Sequence, residues 1–334
     1  MRGAVQPETP IAATLSDAQA QGLAPKVVQL TTVFDSNVYL GLSRARLARI
    51  VDCEREAHVL ALASMWPCAE LLARCAGPDV ARRRKAKSAL HKVLVHAGYE
   101  SAGGSRIRMH EAGEFTLARG LFGLRVDEAL LQVGIVGDLV AAAASLTIDE
   151  FRRGYSHDVD FIAEQVRLEE NRFAHTVATA LERYGKLPLN PSPPTSLDLA
   201  LTAAGLVQAL AEQHEVKLED QDSSLAVRKV VDSYAVALAF MFRLLSDASP
   251  RSGVPGQGNS TWDLKVAFHA GRPLLSGLPT LLVSDDGRLL RAAREAKHPL
   301  RVIRVAEYEA LLVDPAAVKE RADALLAGGL DQVR

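Results

Sequence analysis

Acidic residues follow two apolar runs that lie near opposite ends of the chain. Asp35 comes directly after the β-branched run 27–34. Asp285 and Asp286 follow the run 279–283. Such runs are typical of buried strands. Because ligands of an α/β sheet bind beyond the carboxyl ends of its parallel strands, these acids are expected to meet at one edge and share a metal ion. This pattern predicts an enzyme that acts on phosphates.

Two further acids lie near the starts of predicted helices. Glu70 is in the first turns of a helix predicted at 68–76, and Asp263 opens a helix predicted at 261–270, with Thr261 as its N-cap. Each acid alone is a common partner of a helix N-terminus. Together with the strand-end acids, however, they form a set of carboxylates of the kind that Mg²⁺ and Mn²⁺ prefer. Two such ions can activate a water and stabilise the leaving oxygen of a phosphodiester.

At both ends of the chain, predicted strands alternate with predicted helices, and these elements must position the acids. Residues 26–78 and 250–334 predict one α/β domain with a parallel sheet flanked by helices. Between them, residues 79–249 show apolar positions at helical spacing and predict an all-α insertion, while residues 1–25 predict a flexible lead-in. In the α/β parts, strands are predicted at 27–34, 58–63, 279–283 and 300–305, and helices at 40–56, 68–76, 261–270 and 288–296. Long helices of the insertion are predicted at 125–146, 159–184, 197–214 and 225–245.

Composition limits the functional classes. Hydrophobic residues make up 48% of the 334-residue chain, which is enough for a substantial core. The 39 Lys and Arg nearly balance the 40 Asp and Glu, so any nucleic-acid site must be a local patch. The three cysteines have no metal-ligand spacing and predict free thiols. The most apolar segment, 230–245, is too short to span a bilayer. We therefore expect a cytoplasmic protein without a membrane span.

Four segments resemble, in order, the sequence motifs of PIN-domain nucleases. They are VVQLTTVFDSNVYL with its Asp-x-Asn turn, SMWPCAELLARC with its Glu-Leu helix, STWDLKVAFHA with an Asp at the opening of a helix, and LLVSDDGRLLRAA with Ser-x-Asp at a strand end. The resemblance covers residues 27–77 and 260–305, and the order of the intervening element types also agrees.

The resemblance implies a PIN-like fold and a metal-dependent endoribonuclease that uses Mg²⁺ or Mn²⁺. The acids that would bind the metal and carry catalysis are Asp35, Glu70, Asp263 and Asp286. Asp285 is the alternative to Asp286 as a metal ligand. Asn37 and Ser284 match positions where small polar side chains orient the acids, although Asn37 is equally typical of a turn. The large block between the second and third motifs departs from small PIN toxins, so the resemblance does not fix the substrate or a toxin role.

A run of basic residues follows the Glu70 helix and consists of Arg82, Arg83, Arg84, Lys85 and Lys87. Contacts from Lys and Arg to phosphates supply affinity that does not depend on sequence, so this run is a candidate RNA-binding patch. The alternative is a solvated helix face. The expected partner is single-stranded or structured RNA. An inhibitory protein and self-association through the long helices are further expectations.

Two other functions fit the same sequence. One is a catalytically inactive PIN-like scaffold that binds RNA or protein, which the complete set of acids disfavours. The other is a different Mg²⁺-dependent phosphoesterase, such as a phosphatase with a nucleophilic Asp after its first strand. Such phosphatases typically have Asp-x-Asp there, and Asn37 occupies the third position.

Overall fold

A computed structural model describes residues 28–101, 104–110, 112–123, 127–184, 193–247, 257–270 and 278–327. The predicted lead-in at 1–25 lies outside the described residues.

The chain begins with two strands and four helices, namely β1 (Leu30–Phe34), α1 (Ser36–Gly41), α2 (Arg44–Glu56), β2 (Val59–Ser64), α3 (Met65–Ala76) and α4 (Val80–Ala97). The middle contains β3 (Gly98–Ser101), β4 (Gly104–Ile107), β5 (Met109–His110), α5 (Gly113–Phe122), α6 (Asp127–Ser145), α7 (Ile148–Tyr184), α8 (Ser196–Gln213) and α9 (Asp220–Asp247). The last part contains α10 (Gln257–Ala267), β6 (Thr280–Val283), α11 (Gly287–Glu295), a 3₁₀ turn (Pro299–Arg301), β7 (Val302–Ile303), α12 (Val305–Leu312) and α13 (Pro315–Ala327).

The predicted parallel sheet is confirmed. Five strands pair in the order β5-β2-β1-β6-β7, and every pairing in this sheet is parallel. Strand β1 lies at the centre, where Val33 pairs with Leu62 of β2 on one side and Leu282 of β6 on the other. All five residues of β1 are buried. Strand β2 follows β1 in sequence and lies on one side of it, whereas β7 follows β6 and lies on the other side. Where the strand order reverses in this way, a crevice forms beyond the carboxyl ends of the strands, here those of β1, β2 and β6.

Helices from the middle of the chain cover both faces of this sheet. On one face, α3 and α4 share a hydrophobic cluster with α6 and the first half of α7. On the other face, side chains of α9 such as Val236 and Leu238 lie in one cluster with Val33 and Leu282. Burying each such side chain stabilises the fold by roughly 1.5–3 kcal/mol. Residues of the predicted insertion therefore form part of the hydrophobic core on both faces of the sheet.

The prediction that residues 79–249 are entirely helical is wrong in one place. Strands β3 and β4 form an antiparallel hairpin, and β5 extends the main sheet by pairing with the end of β2. These strands have only two to four residues each. They are too short to show the alternation of a half-buried strand, so the spacing of apolar residues does not reveal them.

Several boundaries also differ from prediction, and helix α7 begins at Ile148 rather than at 159. Helix α10 begins at Gln257, so Thr261 lies inside the helix and is not its N-cap. The predicted strand at 300–305 is a 3₁₀ turn followed by the two-residue strand β7, because Pro299 favours a tight turn at the start of this segment. In the described parts of the chain, no helix combines the length and apolar character that a bilayer crossing needs.

A buried polar network lies beneath β1. One carboxylate oxygen of Glu54, Oε1, accepts hydrogen bonds from the Tyr308 hydroxyl at 2.5 Å and the Thr32 hydroxyl at 3.3 Å, and lies 2.9 Å from His96 Nε2. The other ring nitrogen of His96 lies 2.8 Å from the Tyr39 hydroxyl. Burial and the charge of Glu54 raise the pKa of Tyr308 well above its usual value, so its hydroxyl remains a donor. A buried carboxylate with several donors is satisfied, and the network ties α2, α4 and α12 to β1.

Candidate active site

The strand-end acids meet at the carboxyl edge of the sheet, as predicted. Asp35 follows β1, and Ser284 and Asp286 follow the adjacent strand β6. The Ser284 hydroxyl donates to Asp35 Oδ2 at 3.0 Å and accepts from the Asp286 backbone N–H at 3.1 Å. Asp35 is 2% exposed. Ser284 therefore links the two acids and donates a hydrogen bond to the buried one.

Glu70 joins the same cluster through a residue that the sequence pattern did not single out. Glu70 lies in the second turn of α3, which starts where β2 ends beside β1. The Ser36 hydroxyl lies 3.1 Å from Glu70 Oε2 and 3.4 Å from Asp35 Oδ1. Because the Ser36 hydroxyl has a single proton, it can donate to only one of these two carboxylates at a time. Its place directly after Asp35 is a signal that could have identified it.

Asp263 reaches the cluster from inside α10, not from the start of a helix as predicted. It is buried and forms an ion pair with Arg288 of α11. The same guanidinium donates to the Ser260 hydroxyl at 3.0 Å. Neither Arg288 nor Ser260 was among the predicted site residues, although Arg288 lies only two positions after Asp286.

The four acids lie close enough to repel one another. Burial is the main cause that raises the pKa of Asp263 to about 8, and the charge of Asp286 is the next largest. The Arg288 guanidinium opposes this rise, whereas the charges of Asp35 and Glu70 add to it. Burial likewise raises the pKa of Asp35, against the hydrogen bond from Ser284, and the charges of Glu70 and Asp286 contribute. Such repulsion is relieved when a cation binds between the carboxylates.

The adjacent Asp285 and Asp286 have different surroundings. Asp286 caps α11, since its Oδ1 accepts from the backbone N–H of Arg288 at 2.6 Å, and its charge acts on both Asp35 and Asp263. Asp285 is exposed, and its Oδ1 accepts from the Val305 N–H at 3.3 Å. The geometry thus favours Asp286 as the member of the acidic cluster.

Asn37 occupies the predicted position beside the site but is held only loosely. Its side-chain amide donates to Asp35 Oδ2 at 3.5 Å, the limit of a hydrogen bond. The residue is exposed in the first turn of α1. A long bond to an exposed side chain constrains Asp35 less than the Ser284 bond does.

Within the described segments, no three His, Cys, Asp or Glu side chains are arranged to hold a metal ion together. The cluster of Asp35, Glu70, Asp263 and Asp286 fits a hard divalent cation in donor type, charge and burial. Its acids are instead compensated by the protein's own groups, mainly arginines on Glu70 and Asp263 and the hydroxyls of Ser36 and Ser284.

The basic run lies in the first turns of α4, away from this cluster. Helix α3 starts at the carboxyl edge of the sheet, and its last residue, Ala76, lies roughly 9 Å along the helix axis from Glu70. Helix α4 begins only after the following loop. Phosphates bound by this run would therefore lie at a distance from the acids.

The members of the basic run have different partners. Arg83 donates to the Gly77 carbonyl at 3.0 Å, and Lys87 donates to the Ala143 carbonyl at 3.0 Å, so both hold the fold together. Arg82 is exposed and lies 3.4 Å from Asp79. The other two members of the run, Arg84 and Lys85, are exposed on α4.

Helix α7 of the insertion packs directly behind the site. Lys265 Nζ of α10 lies 2.9 Å from Glu169 Oε2, and the Trp262 indole N–H donates to Glu170 Oε1 at 3.0 Å. Lys265 also lies 4.4 Å from the centre of the Trp66 ring on α3. These contacts fix α10, which carries Asp263, relative to α3, which carries Glu70.

A second polar group at this edge contains two buried histidines. The Ser64 hydroxyl at the end of β2 lies 2.7 Å from His269 Nε2, and the His110 ring packs edge-on against His269 at 4.7 Å between centroids. Burial, with a contribution from His110, lowers the pKa of His269 well below the ordinary 6.5. His269 is therefore neutral in the folded protein.

Protonation of His269 is expected to reduce stability as the pH drops below about 6.5, whereas the raised pKa of Asp263 acts in the opposite direction over the same range. The unfolded chain takes up a proton on His269 near that pH, whereas the folded protein does so only well below it, so acid favours unfolding by up to about 1.4 kcal/mol per pH unit for this residue. His298, whose pKa burial and Arg301 lower to about 4, adds to the same trend.

Urea unfolding between pH 7 and pH 5 tests this prediction. Between pH 7 and pH 5, His269→Gln should lose less stability than the wild type, or gain more, whatever its absolute stability. His157→Gln, which changes an exposed histidine of α7, should keep the wild-type slope. Equal slopes for the wild type and His269→Gln would contradict the prediction.

The chain matches no protein-family model, no curated protein and no solved structure.

Proposed function

We propose that this chain is a metal-dependent endoribonuclease with a PIN-like catalytic domain. The observation that supports the proposal is the convergence of Asp35, Glu70, Asp263 and Asp286 at the carboxyl edge of the parallel sheet, with the pKa of two of them raised by burial and mutual repulsion. A fold retains a cluster of like charges at a cost to stability, and such clusters concentrate at functional sites.

Each residue of the site has a distinct role in this proposal. The four acids would hold Mg²⁺ or Mn²⁺, which supplies an activated water and stabilises the leaving oxygen of a phosphodiester. Ser284 and Ser36 orient Asp35 and Glu70 through their hydroxyls. Ser284 keeps Asp35 and Asp286 in a fixed relation, and the α7 contacts hold Asp263 in place.

RNA is the proposed substrate because the resemblance to PIN nucleases points to it and the chain carries exposed basic side chains outside the acidic edge, such as Arg84 and Lys85. A cytoplasmic location, an inhibitory protein partner and self-association belong to the same proposal.

A catalytically inactive PIN-like scaffold is the second candidate. It is favoured by one observation: among the described residues, no three metal-binding side chains are arranged around a common point, and arginines compensate Glu70 and Asp263. Such a scaffold would bind RNA or protein without cleaving it and without needing a metal.

A cleavage assay separates these candidates. Purified protein is incubated with labelled single-stranded and hairpin RNA in Mn²⁺, in Mg²⁺ and in EDTA. The nuclease proposal expects internal cleavage in either metal and none in EDTA. Binding without cleavage would support the scaffold. Turnover of a simple phosphomonoester without cleavage of RNA would instead indicate another phosphoesterase.

A further inference from the structure

Two acids of the cluster are paired with arginines of the same chain. Arg74 Nη2 lies 2.5 Å from Glu70 Oε1, one helical turn along α3. Arg288 pairs with Asp263 across two helices. In both pairs the carboxylate is largely buried, whereas the arginine side chain is 38% exposed for Arg74 and 42% exposed for Arg288. Each arginine therefore extends from the protein surface down to a buried acid.

Arg288 contacts more than one member of the cluster. Besides Asp263 and Ser260, its Nε lies 3.8 Å from Asp286 Oδ1. Its position at the start of α11 places it directly beside the strand-end acids. This guanidinium thus compensates part of the negative charge that a divalent cation would otherwise compensate.

An arginine and a metal ion cannot both use the same carboxylate oxygens. A buried carboxylate is costly without a compensating charge, so the acids keep either the arginine or the cation. A displaced arginine at the surface regains solvent around its guanidinium. It then lies at the rim of the site with its fork of donors free, and this fork matches the oxygens of a phosphate.

We propose that Arg74 and Arg288 are exchangeable counter-ions of the site: they pair with Glu70 and Asp263 while no metal is bound, and bind backbone phosphates of RNA once a metal takes their place. This inference rests on the proposed nuclease function and adds a regulatory step to it. Metal binding and RNA binding are then coupled, so each strengthens the other by the same factor.

Metal binding without RNA gives the first test. Mn²⁺ affinity is measured by titration calorimetry on the wild type, Arg74→Gln and Arg288→Gln. Removing a counter-ion removes a competitor, so each variant is expected to bind Mn²⁺ about fivefold more tightly or better. The matched control is Arg291→Gln, which removes the same charge from an exposed position of α11 and should leave the Mn²⁺ affinity unchanged. Unchanged or weaker Mn²⁺ binding in both test variants would overturn the proposal, as would a wild type and test variants that all fail to bind Mn²⁺.

RNA cleavage in saturating Mn²⁺ gives the second test. The variants are expected to raise KM for RNA by about tenfold while kcat changes by less than about twofold, because a phosphate contact is lost but the acids are intact. An unchanged KM in both variants would overturn the phosphate-binding half of the proposal. If the wild type binds Mn²⁺ but cleaves no RNA, the nuclease function fails. The calorimetric comparison still decides whether the arginines compete with the metal.

Discussion

Asp35→Asn is expected to lower kcat for metal-dependent RNA cleavage by about a hundredfold to a thousandfold or more. Asp35 lies at the centre of the cluster, since Ser36 links it to Glu70 and Ser284 links it to Asp286. Asparagine keeps the size of the side chain and an oxygen that can accept from Ser284. It removes the negative charge that a metal ion needs. The measurement is initial cleavage rate at saturating RNA in Mn²⁺ and in Mg²⁺.

The fold should survive this substitution, and in the absence of metal it should gain stability. The pKa of Asp35 is raised in the folded protein, chiefly by burial, so its ionised form opposes folding at neutral pH. A neutral asparagine removes that cost. Thermal unfolding is therefore expected to show a Tm for Asp35→Asn at or above that of the wild type without metal, and a smaller increase on addition of Mn²⁺.

Asp285→Asn is the matched comparison, because it changes the same residue type at the same edge. The Asp285 carboxylate accepts from Val305 and is exposed, so this variant should cleave at close to the wild-type rate. Loss of cleavage in Asp285→Asn with full activity in Asp35→Asn would contradict the assignment of the site.

Local sequence pattern predicted the sheet and the position of the acids for a physical reason. The runs before Asp35 and Asp285 are short, apolar and rich in β-branched residues, which suits strands buried on both faces. Parallel strands in one sheet bring their carboxyl ends together, so strand order and strand ends suffice to place two acids at one edge although most of the chain separates them. The helix of Glu70 was predicted because Pro67 is well tolerated in the first turn of a helix.

Contacts between distant elements could not be predicted in this way. The pairing of Arg288 with Asp263 depends on how α10 and α11 pack, and the bond from Trp262 to Glu170 depends on where α7 crosses the site. Strand β5 forms because the end of β2 offers it an unpaired edge, which two residues of sequence do not reveal. The spacing of apolar residues predicts one helix or strand at a time, whereas these contacts depend on how two elements pack together.

The buried network around Glu54 also depends on contacts between elements that are distant in sequence. Its loss is expected to have the largest effect on stability. Glu54→Ala should lower the free energy of unfolding by about 4 kcal/mol, because it removes the acceptor for Tyr308, Thr32 and His96 and leaves their polar groups buried without it. The cavity left by the side chain adds to this loss. Urea unfolding at neutral pH, followed by far-UV circular dichroism, measures the change.

Glu56→Ala is the matched control, since it makes the same substitution two residues later at an exposed position of the same helix. It should change the free energy of unfolding by less than about 0.5 kcal/mol. Tyr308→Phe, which removes one donor and keeps the ring, should cost roughly 1 kcal/mol. Equal effects of Glu54→Ala and Glu56→Ala would show that the carboxylate does not hold the network together.

The network also supports the site, because Phe34 lies between the two. The Phe34 ring packs 4.1 Å from the centre of His96 and 5.6 Å from that of Tyr308, and Asp35 is the next residue in the chain. If Glu54 acts through the packing of Phe34, Glu54→Gln should weaken Mn²⁺ binding even where urea titration shows the protein fully folded. Mn²⁺ affinity equal to that of the wild type under those conditions would limit Glu54 to a role in stability.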